Sequence, residues 1–76
     1  MENSEQILLN KLANAVKTRR NELGISQEKL AEICNFDRTY ISLIERAKRN
    51  PTYLNLEKLC IGLDIKLYEL LENIDD

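Results

Sequence analysis

The 76-residue chain has no histidine and no tryptophan, one proline, one phenylalanine, two glycines and two cysteines. Each shortage removes a class of function. Without histidine there is no imidazole to activate a nucleophile, and a metal site would have to rest on ligands the chain lacks. Two glycines do not make a phosphate-cradling loop. Cys34 and Cys60 have neither ligand nor redox spacing. Each falls at an apolar helical position and reads as a small core residue with a free thiol. The chain is therefore read as no enzyme, with no cofactor and no metal. No apolar run approaches bilayer length, so no membrane partner is expected. The N-terminal "MENSEQILLNKLANAVK" lacks the basic start and apolar centre of a signal peptide, which predicts a cytoplasmic protein.

What remains is a helix-favouring composition, 43% hydrophobic and 32% charged. That is the profile of a small globular domain with a modest core. The formal net charge of −2 hides a polarised chain. Lys17, Arg19 and Arg20 lie near the end of the first apolar-periodic segment. Arg38, Arg46, Lys48 and Arg49 lie in the middle. Asp64, Glu69, Glu72, Asp75 and Asp76 load the C-terminal end. A local basic face attracts phosphate whatever the total charge.

Periodicity predicts five helices in one domain, residues 1–76. The first spans about 4–23, with Ser4 as N-cap and Leu9, Leu12, Ala13, Val16, Arg20 and Leu23 on one face. Gly24 ends it in the left-handed conformation. Ser26 caps a short second helix, "QEKLAEIC", whose buried side is Leu30, Ala31, Ile33 and Cys34. Asn35 suits the following tight turn because asparagine tolerates positive φ. Asp37 caps the third helix, "RTYISLIER", with Ile41 and Ile44 inward. Two short helices, a tight turn and a small residue (Ala31) at their crossing describe a helix-turn-helix, over about 27–46. After the loop "AKRNPTY", a fourth helix covers about 54–63 and a fifth about 67–74. Lys66 is a poor cap, so the start of the fifth helix is predicted to be its weak point.

Residues 17–65 resemble the Xre type of DNA-binding domain, the group that includes phage Cro and repressor proteins. The resemblance is carried by "RRNELGISQEKLAE" at 19–32 and "RTYISLIERAKRNP" at 38–51, with the motif's spacing from Gln27 through Ala31 to Ile41. Within that group the Asp37–Ser42 run and the following "IER" are most similar to controller proteins of restriction–modification systems. The resemblance implies an all-α, lambda-repressor-like fold. It also implies a dimeric regulator that binds double-stranded operator DNA. Asn35 stands where the family often has glycine. Leu43 stands where controller proteins usually carry a small residue, which leaves the operator sequence open.

The residues support the same chemistry independently. In a helix-turn-helix the N-terminal end of the second helix enters the major groove. Arg38 there offers a planar fork that matches guanine O6 and N7. Thr39 and Ser42 offer hydroxyls to base edges. Leu43 either meets a thymine methyl or covers the adjoining loop. Gln27, with its amide and the free N–H groups of its helix start, is assigned to phosphate. Tyr40, through its hydroxyl, and Arg46, Lys48, Arg49 and Asn50 are assigned to the backbone as well. Arg20 and Glu45 are read as a structural ion pair, as the matching positions of related domains imply. Leu67, Tyr68, Leu70, Leu71 and Ile74 exceed what one small core can absorb, which predicts a homodimer through about 60–76. No small-molecule ligand is evident. The alternatives are a phage- or plasmid-type repressor, an antitoxin, which would be expected to carry an extra toxin-binding segment, and a protein-binding module on the same fold. The basic residues of the third helix oppose the last of these.

Overall fold

The computed structural model of the chain describes residues 3–72. Five helices follow in order: α1 (Ser4–Glu22), α2 (Gln27–Cys34), α3 (Arg38–Glu45), α4 (Tyr53–Gly62) and α5 (Leu67–Glu72). The long α1 packs against α3 and α5, α2 lies between α3 and α4, and α5 closes back on α4. The expected extension of the fifth helix to Ile74 lies outside the described residues.

Side-chain caps set most helix starts. Asn3, and not Ser4, caps α1: its Oδ1 accepts from Gln6 N at 2.8 Å. Ser26 Oγ accepts from Lys29 N at 3.0 Å, and Thr52 Oγ1 accepts from Asn55 N at 3.2 Å. Asp37 occupies the cap position of α3 in extended backbone, but its side chain makes no capping bond. The start of α5 is better held than Lys66 predicts. Glu69 reaches back one turn and accepts from Lys66 N at 3.0 Å, which is half of a capping box.

The ends of α1 to α4 share one device. Gly24, Asn35, Ala47 and Asp64 all have positive φ, between 51° and 68°. In each case the residue after it donates its N–H to the carbonyl five residues back: Ile25 to Arg20 O, Phe36 to Ala31 O, Lys48 to Leu43 O and Ile65 to Cys60 O. This is the Schellman arrangement, which satisfies carbonyls the helix end leaves free. Only one of the four positions is glycine.

Val16, Leu30, Ile41, Ile44, Leu59, Leu63 and Leu70 are fully buried at the centre, joined by Ala15, Ala31, Cys34 and Cys60. Complete burial of each large side chain contributes about 1.5–3 kcal/mol. Two expectations are corrected here. Ile33 is 49% exposed rather than part of the buried side of α2. Leu70 belongs to the chain's own core and has no surface to offer a partner; it faces inward because α5 folds back onto α1 and α4. Gly62 sits where α4 meets α2. A Cβ there would overlap Cys34 Sγ and press on Leu30 Cδ1 at 3.2 Å. Both cysteines are buried free thiols. Burial pushes Cys60 up to about 11, with the Glu57 carboxylate and Cys34 adding to it, so it is a packing residue at neutral pH.

Candidate nucleic-acid interface

Helix α3 is anchored by its inner face and open on its outer one. Ile41 and Ile44 are buried in the core, while Arg38 and Thr39 stand exposed in the first turn. Ser42 and Leu43 follow half-buried on the outer side. The loop after α3 leaves Arg46, Lys48, Arg49 and Asn50 exposed. Arg46 Nε folds back onto Ser42 O at 3.3 Å, which keeps the guanidinium beside the helix end. Four proposed base-contacting residues and four proposed phosphate-contacting ones thus lie along α3 and its following loop.

Tyr40 is fixed at the border of this surface. Its ring packs tilted on Phe36, with centroids 4.9 Å apart, and the Arg49 guanidinium lies 5.6 Å from the ring centre. Its hydroxyl accepts from Asn55 Nδ2 at 2.9 Å, so the hydroxyl's own proton remains to donate outward. Sequence reasoning misses Asn55. An asparagine in the first turn of a helix carries no sign of a partner fifteen residues away.

Behind α3 lies a closed ionic knot. Arg20 Nε donates to Glu45 Oε2 at 2.7 Å and Nη2 to Glu45 Oε1 at 3.0 Å, while Nη1 donates to Ile25 O at 2.8 Å. The side chains are 11% and 2% exposed. The hydrogen bonding to Glu45, reinforced by its charge, raises the Arg20 pKa against the opposing effect of burial. A bidentate fork of this kind is the strong form of a carboxylate pair. Gln27 completes it: its Nε2 donates to Glu45 Oε1 at 3.0 Å. This bond uses one of the two amide N–H donors of Gln27 and leaves the second, on a half-buried side chain, free to donate outward. The supposed basic cluster at the end of α1 is dispersed. Arg20 faces Glu45, and Arg19 turns to backbone carbonyls at the end of α4, leaving Lys17 exposed.

The outer side of α4 and α5 is apolar and open. Tyr53, Leu54, Ile61, Tyr68 and Leu71 are exposed, Ile61 at 79%. A shallow groove of about 560 Å³ runs between α4 and α5, lined by Tyr53, Ile61, Ile65, Tyr68 and Leu71 among others. Leu67 is half-buried against the core, and Ile74 lies outside the described residues. Among the described residues no helix is long and apolar enough to cross a membrane.

Comparison with known proteins bears on this geometry. Residues 16–70 match the helix-turn-helix family model HTH_3. The chain is 46% identical over 59 residues to the control protein C.MunI of a Mycoplasma species, covering 78% of this chain and 80% of that protein. Solved structures of the restriction–modification controller protein C.Esp1396I are similar throughout. A tyrosine-to-phenylalanine variant of it superposes with a TM-score of 0.86 at 40% identity, covering 97% of this chain and 90% of that one. C.Esp1396I has also been solved as a tetramer in complex with its natural 35 base-pair operator. That structure has a TM-score of 0.81 at 42% identity, covering 91% of this chain and 96% of that one. Variants of it replace an arginine, the threonine after it and the tyrosine after that. The same three residue types run in that order at Arg38, Thr39 and Tyr40.

Proposed function

This chain belongs to the helix-turn-helix family and, within it, to the controller proteins of restriction–modification systems, and from that premise we propose how it reads its operator. It is a DNA-binding transcriptional regulator and not an enzyme. The observation that carries the reading is the first turn of α3. Arg38 and Thr39 are exposed there on a helix whose other face is locked by Ile41 and Ile44. Arg38 forks onto a guanine edge, Thr39 and Ser42 contact neighbouring base edges, and Leu43 covers a thymine methyl. Arg46, Lys48, Arg49, Asn50 and the Tyr40 hydroxyl proton hold the flanking phosphates. The second N–H of the Gln27 amide and the backbone N–H groups at the start of α2 do so as well.

Residues 1–76 act as one domain, with the helix-turn-helix at about 27–46. The apolar α4–α5 face pairs with a second copy, using Tyr53, Leu54, Ile61, Tyr68, Leu71 and the exposed part of Leu67. A two-fold dimer of this kind places two recognition helices about 34 Å apart on a pseudo-palindromic site. Occupancy is then set by protein concentration and dimerisation, and the place of action is the cytoplasm, where the DNA is. Sedimentation at tens of micromolar should show the dimer; a monomer there would contradict this interface.

The deciding test is selection from a random double-stranded DNA pool, with Arg38→Ala beside the parent and the salt varied. The parent should enrich a two-fold symmetric site. The variant should lose about 1–3 kcal/mol of discrimination at one base pair of each half-site, roughly 5- to 150-fold. The salt slope counts the phosphate contacts. If nothing is enriched and binding stays weak at low salt, the α3 surface serves a protein partner instead.

A further inference from the structure

Arg19 and Arg20 are neighbours on α1, yet they reach in different directions. Arg20 holds the end of α3 through Glu45. Arg19 holds the junction between α4 and α5: its Nε donates to Leu63 O at 2.9 Å and its Nη2 to Asp64 O at 2.9 Å. A third contact, from Nη1 to Glu22 Oε1 at 3.4 Å, steadies the guanidinium from its own helix. The α4 end has already used its internal donors. Asp64 N donates to Ile61 O at 3.1 Å and Ile65 N to Cys60 O at 3.0 Å. The carbonyls of Leu63 and Asp64 point onward, and Arg19 takes both. Asp64 itself has φ 51°, so the chain turns sharply at the point where Arg19 grips it.

We infer that Arg19 is a positioning residue that sets the spacing between the two operator half-sites. The inference rests on the reading of the chain as a dimer through its α4–α5 face. In such a dimer the separation of the recognition helices depends on the angle between that face and α3 within each protomer. The helix α3 packs on α1 and α2, whereas α5 packs on α1 and α4. Helix α1 is thus the element common to both, and one turn of it carries both arginines. The lever is long: each recognition helix lies about 17 Å from the two-fold axis, half of the ~34 Å separation. A tilt of about 10° at the α4–α5 junction moves it about 3 Å, close to the ~3.4 Å rise of one base step. A small error at Leu63 and Asp64 is therefore read out as a whole base pair.

The test uses the half-site selected by the parent, placed twice in one duplex with the spacer varied one base pair at a time. Arg19→Met keeps the length of the side chain and removes its donors; Arg19→Gln keeps one amide donor. The parent should favour one spacer over its neighbours by about 100-fold, because mismatched geometry forbids simultaneous engagement. Arg19→Met should select the same half-site bases and bind a single half-site as the parent does. Its spacer preference should flatten to about tenfold or less, with Arg19→Gln in between. An unchanged spacer preference in a folded, dimeric Arg19→Met protein overturns the inference. So does a change in the half-site bases themselves, or failure of both variants to fold, since Arg19 is then a general anchor. If the parent has no spacer preference at all, it is the dimer reading that fails, and the role of Arg19 with it.

Discussion

The outer side of α3 and the outer side of α4–α5 are both left without partners by the rest of the chain, but in opposite chemistry. The first shows Arg38, Thr39, Arg46, Lys48 and Arg49; the second shows Tyr53, Leu54, Ile61, Tyr68 and Leu71. Exposed cations are well solvated and lose nothing by waiting for an anion. Exposed large apolar groups gain about 1.5–3 kcal/mol each when fully covered. The first surface therefore suits an occasional partner and the second a constant one. The supports behind the two surfaces differ in the same sense. A nearly dry ion pair stands behind α3, whereas backbone carbonyls gripped by a partly exposed arginine stand behind α4–α5.

The largest expected effect tests the support behind α3. Glu45 accepts from Arg20 twice and from Gln27 once, at 2% side-chain exposure. Glu45→Ala strands the Arg20 charge beside the core and leaves Gln27 without its acceptor. The expected loss is about 3–5 kcal/mol, or on the order of 15 °C or more in Tm for a domain of this size. A Tm close to that of the parent would show that water replaces the carboxylate freely and that the pair is not dry. Combining Glu45→Leu with Arg20→Met should recover much of the loss, since an apolar pair leaves no buried charge.

The next effect tests whether the two halves are held at a fixed distance. Gly62 of α4 lies against Cys34 and Leu30 of α2. Gly62→Ala drives a methyl into Cys34 Sγ, and overpacking of this kind costs about 1–3 kcal/mol. The sharper measurement is a double-mutant cycle. Cys34→Ala alone opens a small void and lowers stability, but it also removes the atom in the way. The two substitutions together should be less damaging than the sum of the two alone, by about 0.5–1 kcal/mol. Strict additivity in urea melts would mean that α2 and α4 slide apart at little cost, and that the two surfaces are not rigidly related.

Particular residues show how much of this was legible in the sequence. The order and limits of the helices follow from spacing and turn residues, and Asn35 does adopt the left-handed turn its type predicts. Arg20 could be singled out because a charge on an apolar stripe demands a partner, and Glu45 is that partner in the structure. Arg19, one position before Arg20, reads in the sequence as a member of a basic cluster. Its acceptors are main-chain carbonyls 44 and 45 residues away, and a carbonyl carries no mark in a sequence. Leu70 and Leu71 are adjacent leucines on a short helix, and periodicity alone does not say which one α1 will cover. The structure buries Leu70 and leaves Leu71 43% exposed. Gly62 could have been read as a helix end; its close approach to Cys34 appears only once α2 and α4 are packed.

The smallest expected effect lies in the loop that joins the two halves. Ala47 ends α3 with φ 59°, in the region where an L-residue with a Cβ is strained by roughly 1 kcal/mol or more. Three of the four helix ends built this way use residues that tolerate the region better: glycine, asparagine and aspartate. Ala47→Gly removes the strain but also gives up a methyl that is nearly buried. It loosens the unfolded chain as well, and these two losses together approach the strain in size. The strain should win narrowly, giving a gain of about 0.5 kcal/mol and a Tm higher by a few degrees. The Schellman bonds from Ala47 N to Ile44 O at 3.0 Å and Lys48 N to Leu43 O at 2.8 Å do not involve the methyl, so the direction of the chain into Lys48 and Arg49 is kept. Operator affinity per folded molecule should therefore stay level as the Tm rises. A fall in affinity at higher stability would show that the strained alanine holds Lys48 and Arg49 toward the phosphates. The α3 surface would then be a preset cradle and not a face that waits in solvent.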